Sequence, residues 1–154
     1  MKLQKGSVLK YLNFRICQSP LGFSVYQTGH IMELVNEWSP TIKFRKFDTT
    51  FSTESTYEKE LLAALPLTGH DLHKSEMEYH GKFGYTLGRI QHISLMIRID
   101  ICYATCCLAT QTVAPNLPGF QGIKRCVQYL SSRPHKHISY PSNFYYASNV
   151  ISLT

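Results

Sequence analysis

Between Phe83 and Leu130, apolar side chains recur at intervals of three and four residues, and this periodicity constrains the fold more than any other feature. Ile90, Ile93, Ile97, Ile101, Ala104 and Leu108 fall on one helical stripe. After Ala114-Pro115-Asn116-Leu117-Pro118-Gly119 interrupts it, Ile123, Cys126, Val127 and Leu130 form another. A stripe of this width must be buried, so the region packs its helices on one another or on a partner. The first stripe fits one long helix, or two if Asp100 caps a second helix beginning near Ile101.

The N-terminal part has a different period. Leu12, Phe14 and Ile16 alternate with Asn13 and Arg15, as in a strand with one covered face. Gln18-Ser19-Pro20-Leu21-Gly22 supplies a turn, and Phe23, Val25 and Tyr26 form the returning strand, so a β-hairpin is expected over residues 8–27. Thr28 is placed to cap a helix carrying Ile31, Leu34, Val35 and Trp38 on one face, which Ser39-Pro40 ends. Thr41 to Ser55 has no period and reads as a loop or extended linker. A short helix is expected over Thr56 to Leu65, and the helical signal returns at Ser75. Ile138 to Thr154 reads as one or two edge strands or an ordered tail. The predicted class is α+β: an N-terminal β-hairpin, a mainly helical region and a short strand or irregular tail.

With 154 residues, 44% of them hydrophobic and 17% charged, the chain is large enough for one modest core. All ten carboxylates lie from Glu33 to Asp100, where eight Lys or Arg nearly balance them. Lys2, Lys5, Lys10 and Arg15 precede that block, and Lys124, Arg125, Arg133 and Lys136 follow it. Basic ends around a near-neutral centre suit a polyanion, whose counterions are released on contact. The opening MKLQKGSVLKYLNF carries no apolar run of signal length, and no window approaches about 18 uninterrupted apolar residues. No membrane contact is therefore expected, and the five cysteines are read as reduced, intracellular thiols, with cytoplasm and nucleus not distinguished.

Two-metal nucleotidyl transfer or nuclease chemistry needs clustered carboxylates. Asp48, Asp71 and Asp100 are the only aspartates, far apart in sequence, and no Y-x-D-D occurs. Asp100 reads as a helix cap, and no catalytic residue is assigned. His70, His73 and His80, with Cys102, Cys106 and Cys107, raise the possibility of zinc. Adjacent thiols within an apolar helix read more simply as packing, however, so neither metal nor other cofactor is assigned. His92 shares no motif with a thiol. Lys43, Arg45 and Lys46 interleave with Phe44 and Phe47, combining charge with stacking surface as in single-strand binders. The competing reading has those phenylalanines anchor a loop to the core. Arg98 can pair with a carboxylate or a phosphate. Together with Lys124 and Arg125, these residues complete the candidate nucleic-acid contacts.

The order of hairpin, helix, linker, paired helices and Lys-Arg helix resembles the polymerase-to-RNase H region of copia-type retrotransposon polyproteins, a family of reverse transcriptases. Lys10-Tyr11-Leu12-Asn13 is similar to the family's K-Y-L-G, and Gln27 to Ile31 to its S-Q-x-x-Y-I with His30 in the tyrosine place. Gly88 fits the last residue of Y-R-x-L-V-G, with Phe83 and Thr86 replacing the tyrosine and the leucine. Arg98-Ile99-Asp100-Ile101 and Tyr103-Ala104 resemble R-P-D-I-x-Y-A, whose proline favours two helices over one. Pro115 and Lys124 to Leu130 resemble the proline and K-R-V-L-R-Y-L of the last helix.

The resemblance implies a non-catalytic fragment. Residues 1–40 would end the palm and start a thumb-like part, 41–75 would be a variable linker, and 76–132 the helical connection. Residues 133–154 would lead toward a missing RNase H domain, and both catalytic clusters would lie outside the chain. The implied partners are nucleic acid, held through phosphate contacts, and the missing polymerase core and RNase H parts. A small zinc-stabilised interaction module is the alternative of a different class. A further expectation is that the fragment folds poorly alone, because its apolar faces normally pack on the polymerase core.

Overall fold

The structure, a computed structural model, describes residues 8–11, 13–39, 45–51 and 56–142. The class is α+β, as expected, and the chain divides into two units: residues 1–30 with 135–154, and residues 31–134.

The first unit holds an antiparallel sheet in the order β1 (Val8–Tyr11), β2 (Phe14–Ser19), β3 (Gly22–Tyr26) and β4 (Ile138–Pro141). Phe14 and Ile16 of the expected strand lie in β2, and Leu12 lies outside the described residues. Tyr11 opposes Phe14 across β1 and β2, with Asn13 in the connecting turn. The β2–β3 turn forms where Pro20 and Leu21 predict it, Ser19 Oγ accepting from the Leu21 N–H at 3.2 Å. The tail contributes β4, which pairs with β3 so that Gly22 opposes Pro141 and Val25 opposes Ile138. Gly22 has φ +134°, and a Cβ there would lie 2.0 Å from the Tyr140 carbonyl oxygen, so glycine alone permits this pairing. Among its described residues, no hydrophobic side chain of this unit is fully buried.

The second unit is helical. α1 (Thr28–Trp38) supplies Ile31, Leu34, Val35 and Trp38 to its core, the face read from their spacing. Thr28 is the first residue of that helix rather than the one before it. α2 (Tyr57–Ala63) fills the expected short helix. α3 (Gly69–Glu78) then starts six residues ahead of the expected return of helix at Ser75, so much of the segment read as linker is helical. Only Ser75 of α3 is buried, which is why no apolar period announced it.

α4 (Phe83–Met96) and α5 (Cys102–Ala109) divide the isoleucine stripe, with a single 3-10 turn, Ile99–Ile101, between them. All six stripe residues are buried. Each such side chain taken from water contributes roughly 1.5–3 kcal/mol for the larger ones, before conformational entropy is counted. α6 (Leu117–Ser132) packs Phe120, Ile123, Cys126, Val127, Tyr129 and Leu130 into the same core. Asn116 caps it. Its Oδ1 accepts from the Gly119 N–H at 2.9 Å, while its buried Nδ2 donates to the Leu61 carbonyl at 2.7 Å and to Gln111 Oε1 at 2.9 Å. One side chain thus ties the end of α2 and the α5–α6 loop to the start of α6.

Candidate nucleic-acid interface

Residues 45–51 lie along α6 and are fastened to it by side chains of the helix. Arg125 Nη2 donates to Thr49 Oγ1 at 2.9 Å, and its guanidinium stands 4.5 Å from the centre of the Phe47 ring. Arg133 Nη2 donates to Asp48 Oδ1 at 2.9 Å, and the Cys126 thiol donates to the Thr50 carbonyl at 3.6 Å. Phe51 meets Tyr57 edge to face at 4.7 Å. A cleft of about 290 Å³ opens between the segment and the helix, lined by Phe47, Phe51, Tyr57, Lys124, Arg125 and Gln128 among others. Gly122 forms part of its wall: a Cβ there would come within 2.5 Å of Tyr57 Oη, so the missing side chain lets the tyrosine lie against α6. Tyr57 Oη donates to the Pro118 carbonyl at 2.7 Å. Burial first of all pushes its pKa up to about 12, so it remains a neutral donor at physiological pH.

Four of the candidate cations therefore belong to one neighbourhood in the chain's second unit. Arg45 and Lys46 are exposed on the segment, while Lys124 and Arg125 are half-buried at the cleft. Lys124 Nζ stands 5.8 Å from the Tyr79 ring. Lys43, like Phe44, lies outside the described residues. Phe47 meets the Arg125 guanidinium rather than the hydrophobic core, and its ring lines the cleft. Gln128 is buried at the cleft as well.

Arg98 requires a correction. Its side chain is completely buried, with Nε and Nη2 donating to the two Asp100 oxygens at 2.9 and 3.0 Å and Nη1 donating to the Arg133 carbonyl at 2.8 Å. The guanidinium is held by the protein and is not presented to a phosphate. Asp100 is corrected with it. The residue sits inside the 3-10 turn, not at the position preceding α5, and its carboxylate takes Arg98 and the Tyr129 hydroxyl, the latter at 2.6 Å. Neither the turn nor α5 has a side-chain bond at its N-cap. The guanidinium groups of Arg98 and Arg133 each stand 5.5 Å from the centre of the Tyr129 ring. Two of the three aspartates are thus joined through arginines: Asp48 to Arg133, and Asp100 to Arg98.

The cysteines also depart from expectation. All five are free thiols, but only Cys126 is buried; Cys102 and Cys107 are half-exposed and Cys106 is exposed. Among the described residues no group of three or more His, Cys, Asp or Glu side chains is arranged to hold a metal ion. No described helix is long and apolar enough to cross a membrane. Thr49, Tyr57, Asn116 and Gly122 were not anticipated as parts of the site or its support. Their sequence signal is slight, because their partners lie tens of residues away. No protein-family model, curated protein or solved structure matches the chain.

Proposed function

We propose that the chain is a non-catalytic segment of a copia-type retrotransposon reverse transcriptase, from the region between polymerase and RNase H. Its residual activity is weak, sequence-independent contact with nucleic-acid phosphates through Arg45, Lys46, Lys124 and Arg125. The observation that carries the binding reading is the cleft beside α6, where two cations from the helix meet a segment bearing two more and a half-buried phenylalanine. Cations at such a groove neutralise phosphate charge, and an aromatic face accepts any base, so neither feature selects a sequence. The origin is supported by the ordered motifs from Lys10 to Leu130. The zinc-stabilised alternative has less support, given the lack of a three-ligand cluster among the described residues.

Binding is tested with labelled single-stranded DNA of several sequences at low salt. Similar affinities are expected for all of them, with stepwise weakening in Lys46→Gln, Lys124→Gln and the double variant. A folded chain that binds none of them, or a double variant that binds as well as the parent, overturns the reading. The origin is tested separately by the genomic DNA around the reading frame. An upstream Y-x-D-D frame and a downstream RNase H frame are expected, and unrelated flanks would refute it.

A further inference from the structure

α5 carries three of the five cysteines, and its geometry separates them into a pair and a single thiol. Cys102 and Cys106 are four residues apart and therefore neighbours on one face of the helix. Cys102 is half-exposed and Cys106 exposed. Cys107 faces elsewhere: it lines a small, mainly apolar pocket with Leu61 and Leu62. The α5 face that carries Cys102 and Cys106 thus presents two sulfur donors. We propose that Cys102 and Cys106 form a two-coordinate thiolate site for a soft monovalent metal ion of the copper(I) class.

Donor type and donor number both favour that ion. Thiolates select soft metals, whereas zinc in a structural site takes four ligands. No group of three or more ligating side chains exists among the described residues to supply them. Direct oxidation of the pair is disfavoured by spacing. Cβ atoms at this helical separation lie about 5–6 Å apart, whereas a disulfide requires roughly 3.5–4.5 Å. A linearly coordinated ion spans the gap without unwinding α5. Both thiols lose their protons to solvent as two sulfur–copper bonds form, the carrier ligand leaves the copper, and the metal stays monovalent, so no oxidant is consumed.

The test is anaerobic titration of the reduced full-length chain with copper(I) held by the chromogenic chelator ferrozine. Transfer of one copper per chain is expected, read as loss of the chelate colour. Transfer should be lost in Cys102→Ala and in Cys106→Ala and retained in Cys17→Ala and Cys107→Ala. Cys106→Ser, which preserves side-chain size, should lose transfer while keeping the parent's circular dichroism. The proposal is overturned if the parent takes no copper from ferrozine, or if the Cys102→Ala, Cys106→Ala double variant takes as much as the parent.

Discussion

At the scale of single residues, the largest difference between expectation and structure is Arg98. Side chains two apart do not face each other on an α-helix, so nothing in R-I-D-I announces a bidentate pair. The 3-10 turn at Ile99–Ile101 changes the geometry and brings guanidinium and carboxylate together. Arg98→Met leaves Asp100 without its two charge-assisted bonds and the Arg133 carbonyl without its donor. Removing one partner of such a buried pair is expected to cost about 3 kcal/mol in urea unfolding. Arg98→Lys recovers little of it, because an ammonium lacks the planar fork. A second residue-scale consequence concerns alkaline pH. Burial raises the Cys126 thiol from 9.0 to about 12, and burial first among several causes raises Tyr57 from 10.0 to about 12. Both groups keep their protons longer in the folded chain than in the unfolded one. Their stabilising contribution is therefore complete below about pH 9 and is lost progressively as pH rises toward 12. Cys126→Ala should delay the onset of that loss toward pH 10, as followed by unfolding midpoints across the pH series.

At the scale of elements, the helices with apolar faces were legible and the others were not. Ile90 to Leu108 and Ile123 to Leu130 are buried where their spacing put them. α3 escaped notice because its only buried residue is a serine. The β1–β2 turn escaped notice because the alternation of Phe14, Arg15 and Ile16 in sequence begins immediately after it. Strand pairing over more than a hundred residues, as between Val25 and Ile138, has no local signal at all. Gly22 is the clearest dependency of an element on one position. In Gly22→Ala, the new Cβ meets the Tyr140 carbonyl at 2.0 Å and the positive φ becomes strained. β4 should detach while β2 and β3 remain paired. Hydrogen exchange is expected to accelerate across the β3–β4 pairing, with the amides of α4 and α6 unchanged. Equal protection of that pairing in variant and parent would show that it does not depend on Gly22.

At the scale of the whole molecule, the candidate site was legible by residue type and not by assembly. The clustering of Arg45 and Lys46 with aromatic residues, and the Lys124-Arg125 pair, are visible in sequence. That Arg125 reaches across to Thr49 and Phe47 is a consequence of α6 packing, 76 residues distant in the first case. The helical unit has a continuous core of its own, from Ile31 to Leu130, whereas the sheet unit has no fully buried hydrophobic residue among those described. The apolar faces expected to pack on a missing polymerase core pack on one another within the helical unit. If Arg45, Lys46, Lys124 and Arg125 are the contact with nucleic acid, binding must be governed by counterion release. The most direct measurement is the affinity for single-stranded DNA across a series of salt concentrations. The logarithm of the association constant is expected to fall linearly with the logarithm of salt, with a slope of about −3 for four phosphate contacts, and less steeply in the Lys46→Gln, Lys124→Gln variant. An affinity unchanged between low and moderate salt would contradict phosphate contact.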